Sequence, residues 1–118
     1  MSIKISVVIP VFNEVEAMPS LIQKLDTILS SKYNDNFEVF IVDDGSLDNT
    51  SQVLGDKQKS FKWLHFITLA RNYGQSTALQ AGFDFSNGEL IVTMDGDLQN
   101  DPEDIPRLID LLEKNKNV

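Results

Sequence analysis

Four short segments hold the residues best able to do chemistry: Pro10-Val11-Phe12-Asn13-Glu14, Asp43-Asp44-Gly45-Ser46, Ala70-Arg71-Asn72 and Asp95-Gly96-Asp97-Leu98-Gln99. Together they carry five carboxylates, on Glu14, Asp43, Asp44, Asp95 and Asp97. Like charges gathered in one crevice raise each other's pKa unless a cation or hydrogen-bond donors compensate. A divalent cation is the simplest remedy. Asp95-Gly96-Asp97 has the form Asp-x-Asp, in which two carboxylates on one loop can reach an ion or its bound waters, and Gly96 adds little bulk. Asp97 with the amide oxygen of Gln99 makes an all-oxygen donor set suited to Mg2+ or Mn2+, hard ions that keep waters and bind phosphate oxygens. Such an ion would neutralise a leaving diphosphate. It would also let an acidic protein accept an anionic substrate.

The elements that must position these segments are legible in the hydrophobic pattern. Apolar runs at Ile5 to Val11, Phe37 to Val42, Leu64 to Leu69 and Leu90 to Met94 are near-continuous rather than alternating, which predicts strands buried on both faces. Between and after them lie helical stretches, about Pro19–Ser31, Thr50–Lys59, Gly74–Phe85 and Pro106–Lys114. Leu21, Ile22, Leu25, Ile28 and Leu29 form one stripe; Ile105, Leu108, Ile109 and Leu112 form another. Pro19 suits a first helical turn, and Asp48 or Asn49 is placed to cap the second helix. Gly88 after Ser86-Asn87 reads as a helix exit that tolerates positive φ. Asp101–Ile105 reads as an irregular lead-in, because Pro102 and Pro106 cannot share a regular helix. Ala78, Ala81 and Gly82 would let the third helix lie close on a sheet. Strand–helix alternation with short links predicts a parallel, Rossmann-like α/β sheet with flanking helices. Ligands of such sheets sit beyond the carboxyl ends of the strands, which is where all four chemical segments fall.

Each motif also has a purely structural reading. Asp-Gly-Ser and Asp-Gly-Asp are common turn sequences. Asp44 could cap the second helix, Asp43 suits a structural role, and Glu14 suits a solvated first helical turn. Arg71 fits a surface ion pair as well as a site. His65, mid-strand with no partner motif, reads as a packed histidine; Trp63 and the phenylalanines other than Phe12 read as packing. Coincidence favours a site, because acidic motifs follow the first, second and fourth strands on one expected rim.

Composition narrows the classes. The 118 residues suit one domain, lack cysteine, and carry a formal net charge of −8. Disulfide frameworks and thiolate metal sites are thereby excluded, and a general nucleic-acid binder is disfavoured. Met1-Ser2-Ile3-Lys4 leads directly into a strand-like run, so no signal peptide is expected. The apolar runs fall well short of the ~18 residues a membrane span requires.

The segments Val8-Ile9-Pro10-Val11-Phe12-Asn13-Glu14, Val42-Asp43-Asp44-Gly45-Ser46-Leu47-Asp48, Arg71-Asn72-Tyr73-Gly74-Gln75 and Met94-Asp95-Gly96-Asp97-Leu98-Gln99-Asn100-Asp101-Pro102-Glu103 resemble glycosyltransferase family 2. The branch they resemble is that of dolichol-phosphate mannose synthase and bacterial polyisoprenyl-phosphate glycosyltransferases. The resemblance implies the N-terminal half of a GT-A fold. It implies inverting transfer of a sugar from a nucleotide-diphosphate donor to a lipid phosphate, a polyprenyl phosphate. Pro10, Phe12, Glu14, Val42 and Asp44 would then line the nucleoside pocket. Asp95, Gly96 and Asp97 would face the diphosphate, with Asp97 and Gln99 on the Mg2+ or Mn2+ and Asp97 the catalytic residue. A phosphate monoester, with its second pKa near ~6, is already ionised at neutral pH and could attack without a strong protein base.

Three residues depart from the family pattern. Phe12 stands where Tyr is commoner, Gly96 where Ala is usual, and Gln75 where many members carry Lys. The last resembles the branch that transfers amino-arabinose, which leaves the donor sugar open. The resemblance also implies a protein about twice this length, with an acceptor-binding part and a place at the cytoplasmic face of a membrane. The expectation for these 118 residues is weak nucleotide binding without turnover, and possible self-association through an uncovered sheet edge. Two rivals remain. A phosphoacceptor receiver domain shares the size, the Asp pair and the Mg2+, but its Asp pair follows the first strand, not the second. A non-catalytic nucleotide-binding module is the other.

Overall fold

The alternating pattern resolves into β1 (Ile5–Val11), α1 (Met18–Tyr33), β2 (Phe37–Asp43), α2 (Thr50–Gln58), β3 (Leu64–Thr68), α3 (Gln75–Phe85), β4 (Leu90–Thr93) and α4 (Asp104–Asn115). These come from a computed structural model that describes residues 4–94 and 101–115, with side chains through residue 111. All strand pairs are parallel, in the order β3-β2-β1-β4. Among the described residues no helix is long and apolar enough to cross a membrane.

Strand period decides which helix covers which face. Odd-numbered Ile5, Val7, Ile9 and Val11 of β1, with Phe37, Val39 and Ile41 of β2, join Met18, Leu21, Ile22, Leu25, Leu29, Leu54, Ile105 and Ile109 in one core. Helices α1, α2 and α4 therefore share that face. Even-numbered Val8 and Val42 meet Ala78 of α3 on the other. The expected close approach of α3 holds: a Cβ on Gly82 would lie 2.3 Å from Val8 Cγ1 and 3.3 Å from Val42 Cγ2. Pro10 is tolerated in a central strand because even-numbered residues of β1 turn their backbone toward β4. Val8 O accepts from Met94 N, and β4 is last paired at Thr93. The donor that Pro10 lacks thus falls past the end of β4.

Several expectations need correction. Only β1 and β2 are buried along their length; β3 and β4 are partly exposed because the strand order places them at the edges. Helix α4 begins at Asp104, not Pro106, since a proline in the first turn occupies a position whose N–H has no intrahelical partner. Gly74 precedes α3 as its N-cap, with φ 103°. Gly88 is absent from the positive-φ residues. It is needed instead for close approach, since a Cβ there would lie 2.5 Å from Ser6 Oγ. Phe83 and Phe85 are exposed, not packed, whereas Phe37 and Phe61 flank Trp63 and Phe40 stacks on His65 as expected for packing residues.

Ser6 belongs to a buried polar cluster at the end of the sheet away from the rim. Glu38 accepts from the Ser6 hydroxyl and from Asn87 N, Gly88 N donates to Ser6 Oγ, and Lys4 lies 3.3 Å from Glu38. Burial opposes ionisation of Glu38, but the Ser6 hydroxyl, the Asn87 amide and Lys4 together outweigh it and hold the carboxyl below its ordinary range. A depressed folded pKa contributes stability above the ordinary glutamate range, and that contribution is lost as pH falls through the folded value. Wild type is therefore expected to be more stable than Glu38→Gln at neutral pH, with the gap closing on acidification below the glutamate range. Urea unfolding of both proteins across that range checks this; a gap that does not change with pH would contradict it.

Candidate functional site

Register brings the carboxyl ends of three strands level. Val11 of β1 pairs with Asp43 of β2, which pairs with Thr68 of β3. The loops that leave these strands are sewn together by side-chain oxygens. Asn13 takes a left-handed φ of 54°, a conformation asparagine adopts more readily than most residues. Its N–H donates to Ser46 Oγ at 2.8 Å, and its own Oδ1 accepts from Leu47 N at 2.8 Å. Glu14 N donates to Thr50 Oγ1 at 3.1 Å and Val15 N to Asp48 Oδ2 at 3.3 Å. Asp48 also accepts from Thr50 through both N–H and hydroxyl, so it takes an orphan donor at the start of α2, while Asn49 makes no side-chain cap. The Thr50 hydroxyl, opposed by some burial and aided by the Thr50 and Val15 amides, holds the Asp48 carboxyl below its ordinary range.

The second junction joins the β2–α2 loop to the β3–α3 loop. Asp44, only 4% exposed, does not cap α2. Its Oδ1 accepts from Tyr73 N at 2.8 Å; its Oδ2 accepts from Gly74 N at 2.9 Å and from Asn72 Nδ2 at 3.2 Å. A cap on α2, the helix nearest along the chain, was the structural alternative for Asp44, but β3 lies beside β2 and its following loop delivers three donors directly. Gly45 makes the approach possible. Its φ is +73°, and a Cβ there would sit 2.2 Å from the carbonyl carbon of Arg71. On the far side of this junction the Arg71 guanidinium lies 5.2 Å from the centre of the Tyr73 ring, a cation–π pair.

The expected site residues fall as follows. Phe12 is exposed on the rim, and Pro10 and Glu14 are half-buried there. Asp44 is buried at the junction of two loops, and Val42 is buried beneath α3. Asp43 is buried, with Oδ1 accepting from Ser46 N and Oδ2 lacking a hydrogen-bond partner among the described residues. Asp95, Gly96, Asp97 and Gln99 lie outside the described residues. Among the described residues no group of three acidic or histidine side chains is placed to hold a metal. Glu14, Asp43 and Asp44 lie along one rim, where the loop after β3 supplies donors to Asp44; Asp95 and Asp97, the other two carboxylates of the expected cluster, lie outside the described residues. Asn13, Ser46, Thr50 and Asn72 were given no role from sequence; the available signal was a hydroxyl or amide side chain in the loop after a strand or, at Thr50, at the start of a helix.

This arrangement limits how an anion can be held. Consecutive backbone N–H groups after a strand commonly cradle phosphate. Here the amides of residues 13, 14 and 15 are taken by Ser46, Thr50 and Asp48, and those of 73 and 74 by Asp44. Arg71 is the single cationic side chain in these three loops.

Residues 6–118 match the sequence model of glycosyl transferase family 2. The chain belongs to that family. Solved structures agree in fold. A mannosyltransferase from Pyrobaculum calidifontis, PcManGT, in complex with GDP-Man and Mn2+, superposes with a TM-score of 0.78 at 24% identity over 95% of this chain. TarS 1–349 of S. aureus in complex with UDP gives 0.77 at 23% over 96%, and its UDP-GlcNAc complex 0.70 at 22% over 96%. The chain spans about a third of each of those proteins: 33%, 33% and 32%. Its four parallel strands and flanking helices match the N-terminal part of GT-A glycosyltransferases in fold.

Proposed function

We propose that these residues form the donor-binding part of a glycosyltransferase that moves a sugar from a nucleotide diphosphate to an acceptor, with inversion, in a metal-dependent reaction. One observation carries the reading: the loops after three adjacent parallel strands are locked into a single rim, with the amides of residues 13, 14, 15, 73 and 74 already donating to protein side-chain oxygens. A diphosphate approaching that rim would have its charge met by something other than a backbone cradle. Asp97 and Gln99, which follow β4 in the sequence, offer hard oxygen donors that suit Mg2+ or Mn2+. When bound, such an ion would supply charge neutralisation for the departing diphosphate. The relative in complex with GDP-Man and Mn2+ supports this reading.

In this reading the chain's own residues orient the donor. Pro10, Phe12, Glu14 and Asp44 form the nucleoside pocket, with Val42 supporting it from the core beneath α3, and Asp95, Gly96 and Asp97 are the residues for the diphosphate. The acceptor is a lipid phosphate, which is ionised without a protein base. That acceptor is met at the cytoplasmic face of a membrane.

Calorimetry with UDP and GDP, with and without Mn2+, on wild type and Asp97→Ala tests the site. Mn2+ is expected to tighten wild-type binding at least tenfold and to have little effect on Asp97→Ala. Affinity indifferent to both metal and substitution would refute the assignment. A stable acyl phosphate after incubation with a small phosphodonor would instead favour the receiver reading.

A further inference from the structure

Asn87-Gly88, at the exit of α3, carries a chemistry that the donor rim does not use. In an unstructured chain an asparagine followed by glycine is open to attack by its own backbone, because no Cβ obstructs the main-chain nitrogen as it nears the side-chain carbonyl. The fold keeps the two reacting groups apart. Asn87 is exposed, and its Nδ2 donates to Phe85 O at 3.4 Å. The Gly88 N–H instead turns inward and donates at 2.8 Å to Oγ of Ser6, a fully buried residue. Asn87 N donates at 2.7 Å to Oε2 of buried Glu38, which also accepts from the Ser6 hydroxyl. The contact needs a glycine at 88, since a Cβ there would collide with Ser6 Oγ. The close approach that fastens α3 therefore brings the reactive pair with it.

We infer that Asn87 is a latent deamidation site, kept unmodified by the Ser6 hydroxyl, which holds the Gly88 nitrogen away from the Asn87 side chain. The reaction it prevents is explicit. The Gly88 nitrogen gives up its proton and attacks Asn87 Cγ; the N–Cγ bond forms, the Cγ–Nδ2 bond breaks, and Nδ2 leaves as ammonia. Water then opens the cyclic imide at one carbonyl or the other, giving aspartate or isoaspartate. While the Gly88 proton is donated to a buried oxygen, base cannot remove it and the nitrogen faces the wrong way. Isoaspartate would route the main chain through an extra methylene and add a carboxylate beside Glu38, where like charges repel. The amides of residues 87 and 88 would then lose their alignment on Glu38 and Ser6. Helix α3 would be released at its exit, while its other end meets Asp44 through Gly74 N.

The test incubates wild type and Ser6→Ala, each folded and in urea, at one mildly alkaline pH. Peptide mapping by mass spectrometry follows aspartate and isoaspartate at position 87. Folded wild type is expected to react about a hundredfold more slowly than in urea, since the Asn87 and Gly88 amide bonds must open first. Folded Ser6→Ala is expected to react about tenfold faster than folded wild type, as suits the loss of one of those bonds. In urea the two proteins should react alike. Amide hydrogen exchange on the same samples separates a released loop from a loosened fold. In Ser6→Ala, protection is expected to be lost at Gly88 and retained at Ile41, buried in the central strand β2. Where Ser6→Ala does not fold, Ser6→Cys takes its place, because a thiol is a weaker acceptor of similar shape. Equal rates for wild type folded and in urea overturn the inference, as does a folded variant that reacts no faster than wild type. Acceleration with equal loss of protection at Ile41 overturns it too, because the whole fold and not the Ser6 bond would then be the guard.

Discussion

The Gly45→Ala variant is expected to lose roughly 3–4 kcal/mol of folding stability and with it the alignment of the rim. Two costs combine. A side chain at a φ of +73° is disfavoured by ~1–2 kcal/mol. The added Cβ would also lie 2.2 Å from the carbonyl carbon of Arg71 and 2.4 Å from Asn72 N, both backbone atoms that cannot rotate away. One of the two loops has to move, and overpacking that shifts backbone costs a further ~1–3 kcal/mol. Against a total stability of about 5–15 kcal/mol for a domain, this is a large fraction. Urea unfolding of the variant and wild type measures it. A difference under about 1 kcal/mol would mean that the loops separate freely and that their contact does not order the rim.

The second large effect is expected at Asp44. Asp44→Ala removes the acceptor for Tyr73 N, Gly74 N and Asn72 Nδ2 and leaves the first two as unpaired, part-buried donors. Each such orphan costs ~1–3 kcal/mol, so a loss of about 3 kcal/mol is expected. The isosteric Asp44→Asn is no refuge. All three neighbours are donors, so whichever way the new amide turns, its NH2 faces one of them. A loss of about 2 kcal/mol is expected even with shape preserved. Urea unfolding separates the two variants from wild type, and near-wild-type stability of Asp44→Asn would show that its carboxylate is not the organising acceptor described above.

How much of this was open to sequence reading differs by element. β1 was placed at its observed limits, and the other strands to within a residue at either end, because uninterrupted Val, Ile and Phe runs survive in few other environments. The close seat of α3 was also readable, since Ala78, Ala81 and Gly82 admit little else. The start of α4 was not, because proline is compatible both with a lead-in and with a first helical turn. Exposure of β3 and β4 was missed for a related reason. A run such as Leu64 to Thr68 looks the same in a central strand as at an edge, and only the strand order tells them apart.

The site divides along similar lines. Residue types and spacing pointed to the ends of the strands, and the family match over residues 6–118 agrees with that resemblance. The partners of the acidic residues were another matter. Asp44, expected in the nucleoside pocket, had a cap on the next helix as its structural alternative, and the hydroxyl and amide residues around it drew no role at all. Its donors lie 28 to 30 positions further along the chain, and those sewing the first loop to the second lie 33 to 36 apart.

Local sequence determined the parallel α/β class, through periodicity and turn propensity that act over a few residues, and its four motifs carried the resemblance to the family that the match over residues 6–118 shows. Which oxygen meets which donor was decided only when β3 docked beside β2 and brought residues 72 to 74 against Asp44. Strand order and register set those distances, and no pattern within a single segment encodes them.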